Sequence, residues 1–209
     1  MSHARFDDAA QANLTACVGE IEKTTDAEFV LIVRARSGSY RSADYLFGFI
    51  LSFAALLFLL FSPLSFNEYW VPIDVALLFV LGAILSSRGS SIRRLLTTKK
   101  HRAQAVRTHA AAMFYEAGIA NTEAEMGVLL YLSLLERRLE LIADRGVLKA
   151  VPALEWNQLM AELHRVGQRP EPEPLIEGLR KLGILLATHL PATGENPNEL
   201  PDAPRFELK

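Results

Sequence analysis

Two long apolar runs in the middle of the chain constrain the fold most. From Tyr45 to Phe61 runs YLFGFILSFAALLFLLF, without a charge, and from Tyr69 to Leu85 runs YWVPIDVALLFVLGAIL, with one charge at Asp74. As a helix each run reaches roughly 25 Å, and a flanking residue or two brings it to the thickness of a bilayer core. Between them SPLSFNEYW breaks the pattern with Pro63, Asn67 and Glu68. The spacing predicts a transmembrane helical hairpin over 45–86. Tyr45, Phe66, Tyr69 and Trp70 stand near its ends, where aromatic belts form. Asp74 is read as an end-of-helix residue rather than a proton relay. Gly48, Ala54, Ala55, Gly82 and Ala83 would let another span approach closely.

The basic residues orient this hairpin. Arg34, Arg36 and Arg41 precede it, and Arg88, Arg93, Arg94, Lys99, Lys100 and Arg102 follow it, while the connecting loop carries only Glu68. The positive-inside rule then predicts a multi-pass protein of the inner (plasma) membrane with both termini cytoplasmic. The basic cluster after the second span is expected to meet anionic lipid headgroups. No nucleic-acid partner is expected, because the net charge is −2 and there is no global basic field. The single cysteine, Cys17, excludes an internal disulfide framework and a multi-cysteine metal site.

The flanking segments read as an α/β domain. Leu14, Cys17, Val18 and Ile21 share a helical face, with Asp7 and Asp8 in the first turn. The unbroken run Phe29–Val33 then reads as a buried central strand. After the hairpin, Val106, Ala110, Met113, Phe114 and Ala117 mark a second amphipathic helix, stopped at Gly118. Pro152 opens a third, with Trp156, Leu159, Met160, Leu163 and Val166 on one face. The Pro- and Glu-rich GQRPEPEP leads into a last amphipathic helix over 174–190. Residues 191–209 have four prolines and no periodicity, and are expected to be a disordered tail.

The stretch GVLLYLSLLERRLELIADRG, from Gly127 to Gly146, has two readings. Leu, Glu and Arg favour a helix. Context favours two strands around a corner, because the strand Phe29–Val33 has no partner on its own side of the hairpin and a lone strand is not stable. On that second reading, segments 5–41 and 95–167 form one domain with the hairpin inserted in it.

This stretch resembles the signature hairpin of the TPM-domain family, named after a thylakoid-lumen protein, a photosystem-associated protein and an acetylcholine-receptor modulator. The matching features are the Gly-Val-Leu-Leu strand at Gly127–Leu130, the corner Glu136-Arg137-Arg138 and a second strand ending near Gly146. The upstream order also matches: helix, apolar strand, then a helix ending Phe114-x-x-x-Gly118. The resemblance covers roughly 5–167 without the hairpin. It implies an α/β/α sandwich with a short mixed sheet, here interrupted by a two-helix transmembrane hairpin. Where other members carry a Gly-x-Gly turn after the second strand, this chain has Asp144-Arg145-Gly146.

No phosphate loop, dinucleotide fingerprint, zinc motif or nucleophile elbow occurs in the sequence. Ser133 lies in a strand without a base the sequence can assign to it. One acidic set remains: Asp26 and Glu28 before the first strand, Glu123 and Glu125 before the second, and Asp144 after the third. If these strand ends share one sheet edge, their oxygens suit a hard cation such as Ca²⁺ or Mg²⁺. The resemblance implies metal binding and acid phosphatase activity as an alternative expectation, a divalent-cation-dependent phosphatase using this acidic sheet edge, to be tested at Asp144 and Glu125. Without a catalytic set, the leading expectation is a non-enzymatic accessory or scaffold factor for a membrane-protein assembly. The same resemblance suggests a LemA-like membrane protein or a second TPM protein as partner.

Overall fold

A computed structural model describes residues 6–64, 66–122, 124–194 and 204–208. The chain divides into two units, one of residues 1–37 and 103–209 and the other of 38–102.

The first unit is built on a mixed four-stranded sheet of β1 (Glu28–Arg34), β2 (Gly127–Ser133), β3 (Arg138–Ala143) and β4 (Arg205–Glu207), in the order β3-β2-β1-β4. β1 runs parallel to β2 with Phe29 opposite Val128 and Val33 opposite Leu132, and β2 runs antiparallel to β3. GVLLYLSLLERRLELIADRG is therefore a β-hairpin. Helix propensity is overridden because β1, buried on both faces, takes its ladder hydrogen bonds from β2.

Alternation along the strands sorts the core into two layers. Phe29, Leu31 and Val33 share one cluster with Val128, Leu130 and Leu132. Over that face lie α1 (Asp8–Glu22), α7 (Ala153–Gln168) and α8 (Pro172–His189). Val30, Ile32, Leu129 and Tyr131 point the other way, onto Val106, Ala110 and Phe114 of α5 (Lys99–Glu116). The result is an α/β/α sandwich. The apolar faces expected of α1, α5 and α7 are the faces that pack. Asp7 caps α1 by accepting from the Ala10 N–H at 2.9 Å. Gly118, at φ 76°, ends α5 in the left-handed conformation that costs glycine least.

Two expectations change here. The helix expected over 174–190 belongs to the core, since Leu175, Leu179, Leu182 and Leu186 are fully buried between α1 and α7. Part of the expected disordered tail is ordered: Arg205–Glu207 forms β4, pairing parallel with Ile32–Arg34. Its ladder bonds and the Arg34–Glu207 ion pair at 2.9 Å hold a three-residue strand too short to show periodicity.

The second unit holds α2 (Arg41–Phe61), α3 (Val71–Arg88) and the short α4 (Ser90–Leu96). α2 and α3 are long and apolar enough to cross a membrane, and only 17% and 11% of their apolar windows are buried. A core helix would be mostly buried, so these apolar surfaces are not a folded core. α2 begins four residues before Tyr45 and takes in Asp44, while Tyr69 lies in the turn before α3. Gly48 and Gly82 meet: a Cβ on Gly82 would stand 2.9 Å from Gly48 Cα, and one on Gly48 would stand 2.6 Å from Phe79 O. These two glycines serve contact within the hairpin and not with a further span.

Leu182→Ala should lower the stability of the sandwich by roughly 2–5 kcal/mol in a denaturant titration, as expected for a fully buried leucine. A loss below about 1 kcal/mol would contradict the place of α8 in the core.

Candidate functional site

The strand register brings the expected carboxylates to one edge of the sheet. Glu28 lies opposite Gly127, and the Asp144 N–H donates to Gly127 O at 2.8 Å, so Asp26, Glu28, Glu125 and Asp144 all occupy this edge. Glu123 lies outside the described residues. Sharing an edge does not make these groups converge. Asp26 accepts from the Thr193 N–H at 3.0 Å and from its hydroxyl at 2.6 Å. Glu125, at φ 54°, receives Nε and Nη2 of Arg145, each at 3.1 Å. Asp144 caps α6 (Arg145–Ala150) through Oδ1, 2.7 Å from the Arg145 N–H, while its Oδ2 is buried without a partner among the described residues. Glu28 is buried at the start of β1. Among the described residues no three His, Cys, Asp or Glu side chains are placed to hold a metal ion. The expected cation cluster is therefore not assembled there. The carboxylates of Asp26, Glu125 and Asp144 are taken up by a turn, an ion pair and a helix cap.

The opposite edge, at the C-terminal ends of β1 and β2, holds a polar cluster that sequence reading missed. Tyr131 and Ser133 alternate onto the α5 face, and both are fully buried. The Ser37 hydroxyl bonds Tyr131 Oη at 2.8 Å and donates to Ser133 Oγ at 2.9 Å. Ser133 in turn donates to Glu136 Oε2, and the Ser37 N–H donates to Glu136 Oε1 at 2.9 Å. A hydrogen-bonded chain thus runs Tyr131–Ser37–Ser133–Glu136. Glu136 lies in the hairpin corner, as the sequence implies, but it is buried, only 6% exposed. Arg137 makes the exposed turn instead, at φ 52°. The Leu134 and Leu135 N–H groups donate to Arg34 O and Ala35 O at 2.9 and 3.0 Å, extending the clamp beyond the ladder. Ser133 has a carboxylate partner, but burial closes it to substrate. The chemistry of the cluster is that of a structural latch on the end of β1. The sequence signals were the same-face spacing of Tyr131 and Ser133 and the Ser-x-x-Glu step to Glu136.

Burial pushes the Tyr131 phenol up to about 12, more than the Ser37 hydrogen bond offsets. The His109 ring lies 5.9 Å from the Tyr131 ring, and its Nε2 is buried without a partner among the described residues. Burial, and then the Arg34 charge, hold His109 below the usual imidazole range.

A third polar group lies at the base of the hairpin. Asp44 receives Nε of Arg93 at 2.9 Å on Oδ1 and Nη2 at 2.7 Å on Oδ2, and the Ser86 hydroxyl at 2.9 Å on Oδ1. All three residues are buried. This bidentate geometry ties α4 to both long helices and corrects the reading of Arg93 as a lipid-facing residue. Arg102 is likewise engaged, donating to Thr97 O at 2.8 Å and to Arg94 O. Arg88, Lys99 and Lys100 remain exposed.

No family model matches the sequence, and no curated protein matches it. Among solved structures, the chain is similar to the NMR structure of the BA42 protein from the psychrophilic bacterium Bizionia argentinensis. The TM-score is 0.57 at 14% identity, over 96% of this chain and 94% of that one. At that identity the likeness shows the fold alone.

Two outcomes follow from these clusters. The native Tyr131 pKa, about 12, lies above the ordinary value of 10, so the unfolded chain releases this proton first. The stabilisation is full below pH 10 and is lost as pH rises towards 12; denaturant midpoints should fall across that window, and Tyr131→Phe should flatten the fall. Arg93→Ala leaves Asp44 buried and unpaired, and should destabilise the hairpin by about 3 kcal/mol or more in a detergent melt.

Proposed function

We propose that this chain is a multi-pass inner-membrane protein of the TPM-domain type, acting as a non-enzymatic accessory or scaffold factor for a membrane-protein assembly. The observation that carries the reading is the exposed apolar surface of α2 and α3, set within the sequence of a single α/β sandwich. Phe49, Phe53, Phe58, Leu77 and Leu81 are all exposed, and a bilayer suits a surface of this length and apolarity. A domain interrupted in this way is held at the membrane by both ends of its insert, whereas an enzyme acting on soluble substrates has no need of such a tether.

Two further observations favour an accessory role. The carboxylates at one sheet edge are engaged in structural contacts, and the serine–glutamate pair at the other edge is sealed from solvent. The domain then acts through its surface. By the resemblance of Gly127–Gly146, the partner is a LemA-like membrane protein or a second TPM protein.

Orientation follows from charge. Arg41 and Arg88 lie at the end of the hairpin where Asp44 meets Ser86, with Lys99 and Lys100 following closely in sequence, while Glu68 lies in the loop at the other end. The positive-inside rule puts the basic end, and both termini, in the cytoplasm. The basic end then faces anionic headgroups.

Isolation of the full chain in a mild detergent should recover a membrane protein in stable ratio to it. Elution as a lone monomer from every gentle detergent tried would overturn the scaffold reading. A membrane-impermeant maleimide should label Asn67→Cys from outside intact cells and leave Gly194→Cys unlabelled. Labelling of Gly194→Cys would reverse the topology.

A further inference from the structure

We infer that α4 and the start of α5 form an interfacial foot: Leu95 enters the headgroup–acyl boundary while Arg88, Lys99 and Lys100 engage the phosphates of anionic phospholipids. The inference rests on the membrane-spanning reading of α2 and α3 and deepens it by naming the residues and the class of lipid.

The depth of α4 is set by the Asp44–Arg93 pair. Asp44 lies in the first turn of α2, and Ser86 lies close to the end of α3. Arg93 reaches both through Asp44, so α4 is held beside the outermost turns of the two long helices. In a bilayer about 30 Å thick in its hydrocarbon core, those turns lie at headgroup level. Arg102 fixes the other end of the segment by donating to Thr97 O and Arg94 O. Two arginines are thus used to hold the foot in place and not to bind lipid.

The held segment presents an exposed leucine close to exposed lysines, a pairing that suits the headgroup–acyl boundary. Leu95 is 85% exposed, more than any other large apolar side chain among the described residues. The exposed Lys99 and Lys100 follow it closely in sequence. Lys99 and Lys100 open α5, where the positive end of the helix dipole disfavours cations, and no acidic residue stands in that turn to offset them. A phosphate placed there relieves this repulsion. Arg41 and Arg88 are exposed at the same end of the hairpin and complete a basic rim.

The test uses the full chain with the buried Cys17 replaced by Ala, and an environment-sensitive dye on Leu95→Cys or, separately, on Phe53→Cys in mid-span. Each labelled protein is reconstituted into phosphatidylcholine alone, and into phosphatidylcholine with one quarter phosphatidylglycerol. Nitroxide lipids with shallow or deep spin labels report dye depth. In the mixed bilayer the Leu95 dye should be blue-shifted and quenched by the shallow label. Lys99→Gln with Lys100→Gln should lower the ratio of docked to undocked foot by about thirtyfold, and pure phosphatidylcholine, which also removes the partner of Arg88, by about a hundredfold or more. A Leu95 dye that stays water-exposed in the mixed bilayer, while the Phe53 dye is quenched by the deep label, overturns the foot and leaves the spanning reading intact. Equal Leu95 quenching in both bilayers overturns the requirement for anionic lipid. An unquenched Phe53 dye overturns the spanning reading, and the foot with it.

Discussion

The rest of the sandwich depends on the parallel pairing of Phe29–Val33 with Val128–Leu132. β1 is buried on both faces and ends just before the apolar hairpin, and its main partner begins only after α5. Parallel strands need a long crossover, and here the crossover holds a hairpin long enough to cross a bilayer together with a helix that packs back on the sheet. The pairing therefore makes one domain from two separated segments. It also explains the latch at its C-terminal end. Ser37 is the last residue of the sandwich before the hairpin begins, and Glu136 and Ser133 hold it against the end of β2.

Many charged residues in this chain are used inside the fold. Glu125 pairs with Arg145, Asp26 ties down Thr193, Asp144 caps α6, and Asp44 holds Arg93. The Asp44–Arg93 pair matters most, because it is buried at the ends of the two long apolar helices. An unpaired charge there is costly, whereas a bidentate pair supplemented by a serine is tolerated and fixes the geometry of three helices. The acidic sheet edge shows the converse. Carboxylates close in register still do not make a cation site when Asp26, Glu125 and Asp144 are each drawn to a donor of their own.

The parts of the fold that were legible in the sequence were those governed by periodicity. The stripes Leu14–Ile21 in α1 and Val106–Phe114 in α5 need only the helical repeat, and the apolar runs of the hairpin need only their length. GVLLYLSLLERRLELIADRG was not decided by propensity. It was decided by the requirement that Phe29–Val33 find a partner. β4 escaped because three residues after a stretch of scattered prolines carry no repeat, and its place is set by the ladder to β1 and by Arg34. Asp44 escaped because it lies just before the charge-free run, and its role depends on Arg93, far away in sequence. Glu136 reads simply as a polar hairpin corner because Ser37, which donates to it, lies far away in sequence. Contacts that depend on distant partners are those a sequence without geometry conceals.

Hydrogen exchange on the full chain in detergent tests most directly the central claim, that the segments on either side of the hairpin form one cooperative sheet. The amides of Phe29–Val33 and Val128–Leu132 should be among the slowest in the chain, and Leu163→Ala, a fully buried core change in α7, should speed both sets by the same factor. Fast exchange in Phe29–Val33 beside protected Val128–Leu132, or acceleration of one set without the other, would contradict a single domain built across the hairpin.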